Sequence, residues 1–193
     1  MVNKFIFNRD KKDTIILIHG LYTNSGFWLS YFKMFKNFRI IAFNIDYDKL
    51  LKNDYSIKIL QDSFNVDGKI VGVISHSFGT VISDLVFDKN YDLIYKICPI
   101  AFSKRIESSN FVLDIVDKTI LSEDSIINYT KLVRSYLLKV NKALSCSGQL
   151  YIPDMDCYFT YEIPQKKRID FIGDHFNISL ALENIISNLS SCE

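Results

Sequence analysis

No run of eighteen apolar residues occurs anywhere in the 193-residue chain, so no segment has the length to cross a bilayer as a helix and no integral membrane association is expected. An excess of one charge is missing too. With 23 Lys and Arg against 22 Asp and Glu the formal net charge is +1, which gives no general attraction for nucleic acid or anionic lipid. The opening residues hold only a short apolar run, Phe5-Ile6-Phe7, before charge returns, and so lack the h-region of a secretory signal. The expected location is the cytoplasm. Cysteine is sparse: Cys98, Cys146, Cys157 and Cys192 show no close pairing, and the histidines His19, His76 and His175 show no metal-ligand spacing. A disulfide framework and a structural zinc are therefore not expected, and the thiols read as buried or incidental. No cofactor is called for.

What the chain does have is enough apolar residue, 48%, for one core, and one domain over 1–193 is expected. Thr14 to Ile18, Phe38 to Phe43, Lys69 to Ile74 and Ile97 to Phe102 are compact runs rich in β-branched and aliphatic residues, followed later by Gln149 to Ile152 and Arg168 to Ile172. Helical spacing marks Trp28 to Phe35, Asp54 to Phe64, Thr80 to Phe87, Ile126 to Leu144 and Phe176 to Leu189. The alternation predicts a three-layer α/β fold, a mostly parallel central sheet with helices on both faces. The cadence breaks from Ser103 onward, and about 103–145 reads as a reduced lid or a crossover insert.

Three separated stretches carry chemistry. Ser75-His76-Ser77-Phe78-Gly79, after an apolar strand and before a helix, resembles the G-x-S-x-G turn that exposes a nucleophilic serine, with Ser75 at the first glycine position. His19-Gly20 follows the first central strand, and the backbone N–H groups of Leu21 and Phe78 are the expected oxyanion donors. His175, in the loop before the last helix, is the expected general base. His76, beside Ser77 at the turn, reads as structural or pocket-lining, and His19 as a loop organiser. The acid is Asp156 or Asp154, both following the Gln149 to Ile152 strand, with Asp156 preferred because it lies farther into the loop. Phe27 and Phe176 are candidate substrate-binding residues.

With these motifs the chain resembles α/β-hydrolases from Ile15 to Leu189. His19, Gly20, Asn24 and Trp28 are similar to the N-terminal loop of pimeloyl-acyl-carrier-protein methyl ester esterases, although Leu21 and Tyr22 depart from it. Tyr136, Cys146, Asp156 and Gly173-Asp174-His175-Phe176 are similar to carrier-protein thioesterases. The resemblance implies a serine hydrolase that cleaves an acyl ester or thioester through a Ser-His-Asp triad and an acyl-enzyme, with a carrier-protein-linked acyl chain such as a pimeloyl-type methyl ester as one substrate form. Acyl transfer by the same residues, and a non-catalytic binding protein on this fold, are the alternatives. Lys131, Arg134, Lys139 and Lys142 suit an acyl carrier protein as partner, and equally a solvated helix face.

Overall fold

The structure, a computed structural model of the full chain, describes residues 2–52, 57–87, 93–106, 123–141, 144 and 147–191. Strands β1 (Val2–Phe7) and β2 (Asp13–Ile18) are followed by a 3-10 helix at Ser25–Phe35 and by β3 (Arg39–Ile45). Next come α1 (Tyr47–Lys52), α2 (Ile57–Ser63), β4 (Lys69–His76), α3 (Gly79–Val86) and β5 (Ile94–Ile97). The chain continues through β6 (Ser103–Arg105), α4 (Glu123–Val140), β7 (Gln149–Pro153), β8 (Phe159–Tyr161), β9 (Arg168–Phe171) and α5 (Ser179–Ser190).

Among the described residues seven strands form one sheet in the order β1-β3-β2-β4-β5-β7-β9, parallel throughout except for β1, which runs antiparallel along β3. Helices cover both faces, giving the three-layer α/β-hydrolase fold. The reason lies in the strand pattern, since residues at alternate positions of a strand point to opposite faces. Ile15 and Leu17 of β2 join Trp28, Phe35, Ala181, Leu182, Ile185 and Leu189 from the 3-10 helix and α5. Ile16 and Ile18 face the other way and meet Leu50, Leu60, Val81, Ile82, Tyr136 and Val140 from α1 to α4. A strand apolar on both sides can only be central.

Two details depart from expectation. The run Ile97 to Phe102 is not one strand: β5 ends at Ile97, Cys98 adopts φ 53°, and Pro99 caps a short 3-10 turn at Ile100–Phe102. Proline lacks the N–H that a ladder needs, so the strand stops there. The expected helix at Trp28 to Phe35 is a longer 3-10 helix starting at Ser25, with the Asn24 side chain accepting from the Gly26 N–H at 2.7 Å.

The 103–145 insert is described at its two ends. Strand β6 pairs antiparallel with β8 as a separate two-stranded sheet, and α4 packs through Tyr136 and Val140. Residues 107–122 of that insert lie outside the described residues. Among the described residues no helix is long and apolar enough to cross a membrane.

Candidate active site

The order in which successive strands are added across the sheet reverses between β2 and β4, so the carboxyl ends of these two parallel strands border a crevice. Parallel sheets bind ligands at such a switch point. His19-Gly20-Leu21 leaves β2 there, and Ser77 leaves β4.

Ser77 sits in the left-handed region at φ 53°, its N–H donating to Ile97 O at 2.9 Å. A non-glycine residue held in that region marks a turn over-determined by its surroundings. Gly79 makes the tight turn possible. A Cβ there would come within 2.6 Å of the backbone oxygens of both Ile18 and His19, so a side chain would push α3 off β2. Gly20 is packed as closely on the other side, where a Cβ would lie 2.8 Å from Ser77 Cβ.

His19 is buried within the loop it begins. Its Nδ1 donates to Gly20 O at 2.8 Å, its Nε2 accepts the Ile45 N–H at 2.9 Å, and its own carbonyl accepts the Tyr47 hydroxyl. Burial pulls its pKa down to about 4, so the ring is neutral and organises backbone rather than carrying charge.

His175 stands in the loop between β9 and α5, where Asp174 Oδ1 accepts the N–H groups of Phe176 and Asn177 at 2.7 and 2.8 Å. The imidazole is wholly buried, with Nε2 3.0 Å from Ser77 Oγ and Nδ1 2.9 Å from Asp156 Oδ2. Asp154 does not reach it; its Oδ1 accepts the Gly173 N–H at 3.0 Å and shapes the same loop. Asp156 is saturated with donors. Oδ1 takes the N–H groups of Tyr158 and Phe159 at 2.9 and 3.0 Å, and Oδ2 takes the Tyr161 hydroxyl at 2.5 Å besides His175. Burial works to raise the Asp156 pKa, but the hydrogen bond and charge of His175, with the Tyr161 and Tyr158 donors, outweigh it and hold the carboxyl below its ordinary value.

A fourth group corrects the expectation that a Ser-His-Asp triad by itself makes up the centre of a serine hydrolase. Cys98 Sγ, an Asp156 carboxylate oxygen and a His175 ring nitrogen all lie within 4.8 Å of one another, so thiol, carboxylate and imidazole form one cluster. The sequence offered Cys98 only as a buried or incidental thiol. Cys98 follows β5 in the left-handed region, which sets its thiol against the His175 carbonyl at 3.9 Å. Burial, followed by the Asp156 charge, pushes its pKa well up, so the thiol keeps its proton.

His76 is also buried. Its Nε2 donates to His175 O at 2.7 Å while its ring stacks on Phe27 at 4.6 Å, and burial with the neighbouring His175 pulls its pKa down to about 3. Phe27 and Phe176 were expected to bind substrate. Phe27 stacks on His76, and Phe176 packs edge-on to His175 at 5.1 Å.

A cavity of about 670 Å³ opens on Ser77, lined by Leu21, Tyr22, Phe78, Ile100, Val133 and Leu137, with Ser103, Lys104, Thr130, Arg134 and Phe159 completing the wall. Phe27 and Phe176 are not among the described residues of that wall. Tyr161 was missed from the sequence altogether. Its sole signal was position, five residues beyond Asp156 on a strand that pairs with the insert.

No family model matches this sequence, and no curated protein matches it. Solved structures do match. The monoacylglycerol lipase of Paleococcus ferrophilus superposes with a TM-score of 0.59 at 15% identity, over 100% of each chain. A carboxylesterase structure from Nitrososphaera gargenis gives 0.59 at 12% identity over 100% of this chain and 96% of its own. The thioesterase domain from the curacin biosynthetic pathway gives 0.53 at 12% identity over 98% and 95%. At such identities the likeness concerns architecture, and what it establishes is that this chain has the α/β-hydrolase fold.

Proposed function

We propose that the chain hydrolyses a carboxylic ester or thioester of a small-molecule acyl substrate at this centre. The observation that carries the reading is the buried His175 ring, which has a carboxylate at 2.9 Å on one nitrogen and a hydroxyl at 3.0 Å on the other. A base oriented by an acid and poised on a protonated oxygen is the arrangement that acyl transfer to water needs. Proposed roles follow from position. His175 moves the proton, Asp156 fixes its tautomer and supports the imidazolium, and the backbone N–H groups of Leu21 and Phe78 receive the carbonyl oxygen. Both donors belong to residues that line the cavity with Ser77. Two candidate nucleophiles flank the His175–Asp156 pair, the Ser77 hydroxyl on the cavity side and the fully buried Cys98 thiol of the cluster.

Labelling decides between the two side chains. A fluorophosphonate probe followed by peptide mapping is expected to modify Ser77 in the parent and in Cys98→Ser, and to leave Ser77→Ala unmodified. An adduct on Cys98 would move the chemistry to the thiol. A properly folded parent that takes no label and turns over none of a chain-length series of esters and acyl thioesters would defeat the hydrolase reading.

A carrier-linked acyl chain is the finer form of this proposal. It is supported by the exposed Lys131, Arg134 and Lys139 on α4, the helix that also supplies Val133, Arg134 and Leu137 to the cavity. Lys142 lies outside the described residues. Equal kcat/KM for matched free and carrier-linked acyl thioesters would remove the carrier.

A further inference from the structure

Asp156 is engaged from two directions, by the imidazole it orients and by a phenol from a different sheet. Tyr161 ends β8, which pairs antiparallel with β6 in a separate two-stranded sheet. From there its hydroxyl donates to Asp156 Oδ2 at 2.5 Å and lies 3.5 Å from His175 Nδ1. Both the phenol and the imidazole therefore converge on a single carboxylate oxygen. The same small sheet reaches the cavity, where Ser103 and Lys104 of β6 and Phe159 of β8 form part of the wall.

We infer, on the reading of His175 as the base, that Tyr161 is a positioning residue which sets the basicity of that base by drawing charge from Asp156, and that the β6–β8 sheet links the cavity wall to that setting. A carboxylate that accepts an additional hydrogen bond offers less negative charge to a neighbouring imidazolium. Removing the phenol hydroxyl concentrates the charge on the oxygen facing Nδ1 and favours the protonated ring. The phenol remains a donor throughout, because burial first, and then the neighbouring Cys98 and Asp156, push its own pKa up.

Several other groups also face His175. His76, at the end of β4, is held neutral, and the Cys98 thiol beyond β5 keeps its proton. Ser77 and Tyr158 add no charge, and Asp174 on the loop itself is tied to the Phe176 and Asn177 N–H groups.

Tyr161→Phe tests this by deleting one oxygen. With folding verified by circular dichroism and thermal melting, kcat for p-nitrophenyl butyrate is expected to fall roughly tenfold with KM changed less than about twofold, and the acid limb of the kcat/KM profile to move up by about half a pH unit or more. The NMR titration midpoint of the His175 ring is expected to rise with it, and this second readout needs no turnover. A folded variant whose pH profile and ring midpoint both equal the parent's would overturn the inference, because a purely structural tyrosine lowers the melting temperature without moving either. If the parent hydrolyses no ester, the proposed function falls while the ring midpoint still decides the role of Tyr161.

Discussion

Two acidic residues sit two positions apart in the β7–β8 loop, and their environments divide the work between them. Asp156 has a side chain 2% exposed and accepts from two backbone N–H groups, a phenol and an imidazole. Asp154 is exposed and holds Gly173. Asp156→Asn is accordingly expected to lower kcat by about 10³ to 10⁴, because an amide at Nδ1 favours the wrong imidazole tautomer. Asp154→Asn is expected to stay within about tenfold of the parent, and a steady-state comparison of the two variants with one ester substrate checks both. The residues legible from sequence were those with a local grammar: a serine between strand and helix, a His-Gly after a strand, a histidine before the last helix. Cys98 and Tyr161 have no such grammar. Each acquires its place only when β5, β7 and β8 come together, which a linear pattern does not encode.

At the scale of elements, α3 is fastened to β5 by a buried ion pair, Lys96 Nζ to Asp84 Oδ1 at 2.6 Å, with side chains 0% and 2% exposed. Removing one member leaves a charge in the interior, at a cost of about 3–5 kcal/mol, whereas replacing both with apolar residues of similar size is much less costly. Asp84→Ala is therefore expected to lose about that much stability in urea unfolding, and the double variant Asp84→Leu with Lys96→Met to recover most of it. Because α3 begins at Gly79, directly after the Ser77 turn, the single variant also loosens the loop that holds the hydroxyl. The central strands were readable because burial on both faces gives unbroken aliphatic runs. Strand β1 was not, since it borders the sheet with Phe5 and Phe7 partly in solvent, and its alternation carries charged and polar residues. The Ile97 to Phe102 run misled because composition favoured a strand where Pro99 and the Cys98 backbone end one.

For the molecule as a whole, two neutral histidines in the interior contribute to its response to acid. His19 and His76 have folded pKa values of about 4 and about 3, against about 6.5 when unfolded. The unfolded chain therefore binds more protons as pH falls below about 6.5, and the stability from keeping both rings neutral is lost in that direction. Each ring contributes about 1.4 kcal/mol per pH unit once well below that value. Unfolding free energy is expected to drop by roughly 3 kcal/mol between pH 7.5 and 5.5 from these two groups, as read by urea titration at both pH values. A His76→Gln variant that still folds is expected to show about half that drop. Asp156, whose folded pKa is lowered, acts further down the scale: its contribution is present above the unfolded carboxyl value and disappears as pH falls through the folded one.

Ser77 hangs from the middle of the sheet, whereas Asp156 and His175 follow β7 and β9, the last two strands on one flank. Local opening is free to start at such a margin while the β2–β4 centre holds. On the roles proposed for His175 and Ser77, peeling that margin away parts proton acceptor from hydroxyl, so hydrolysis is expected to fail before the scaffold does.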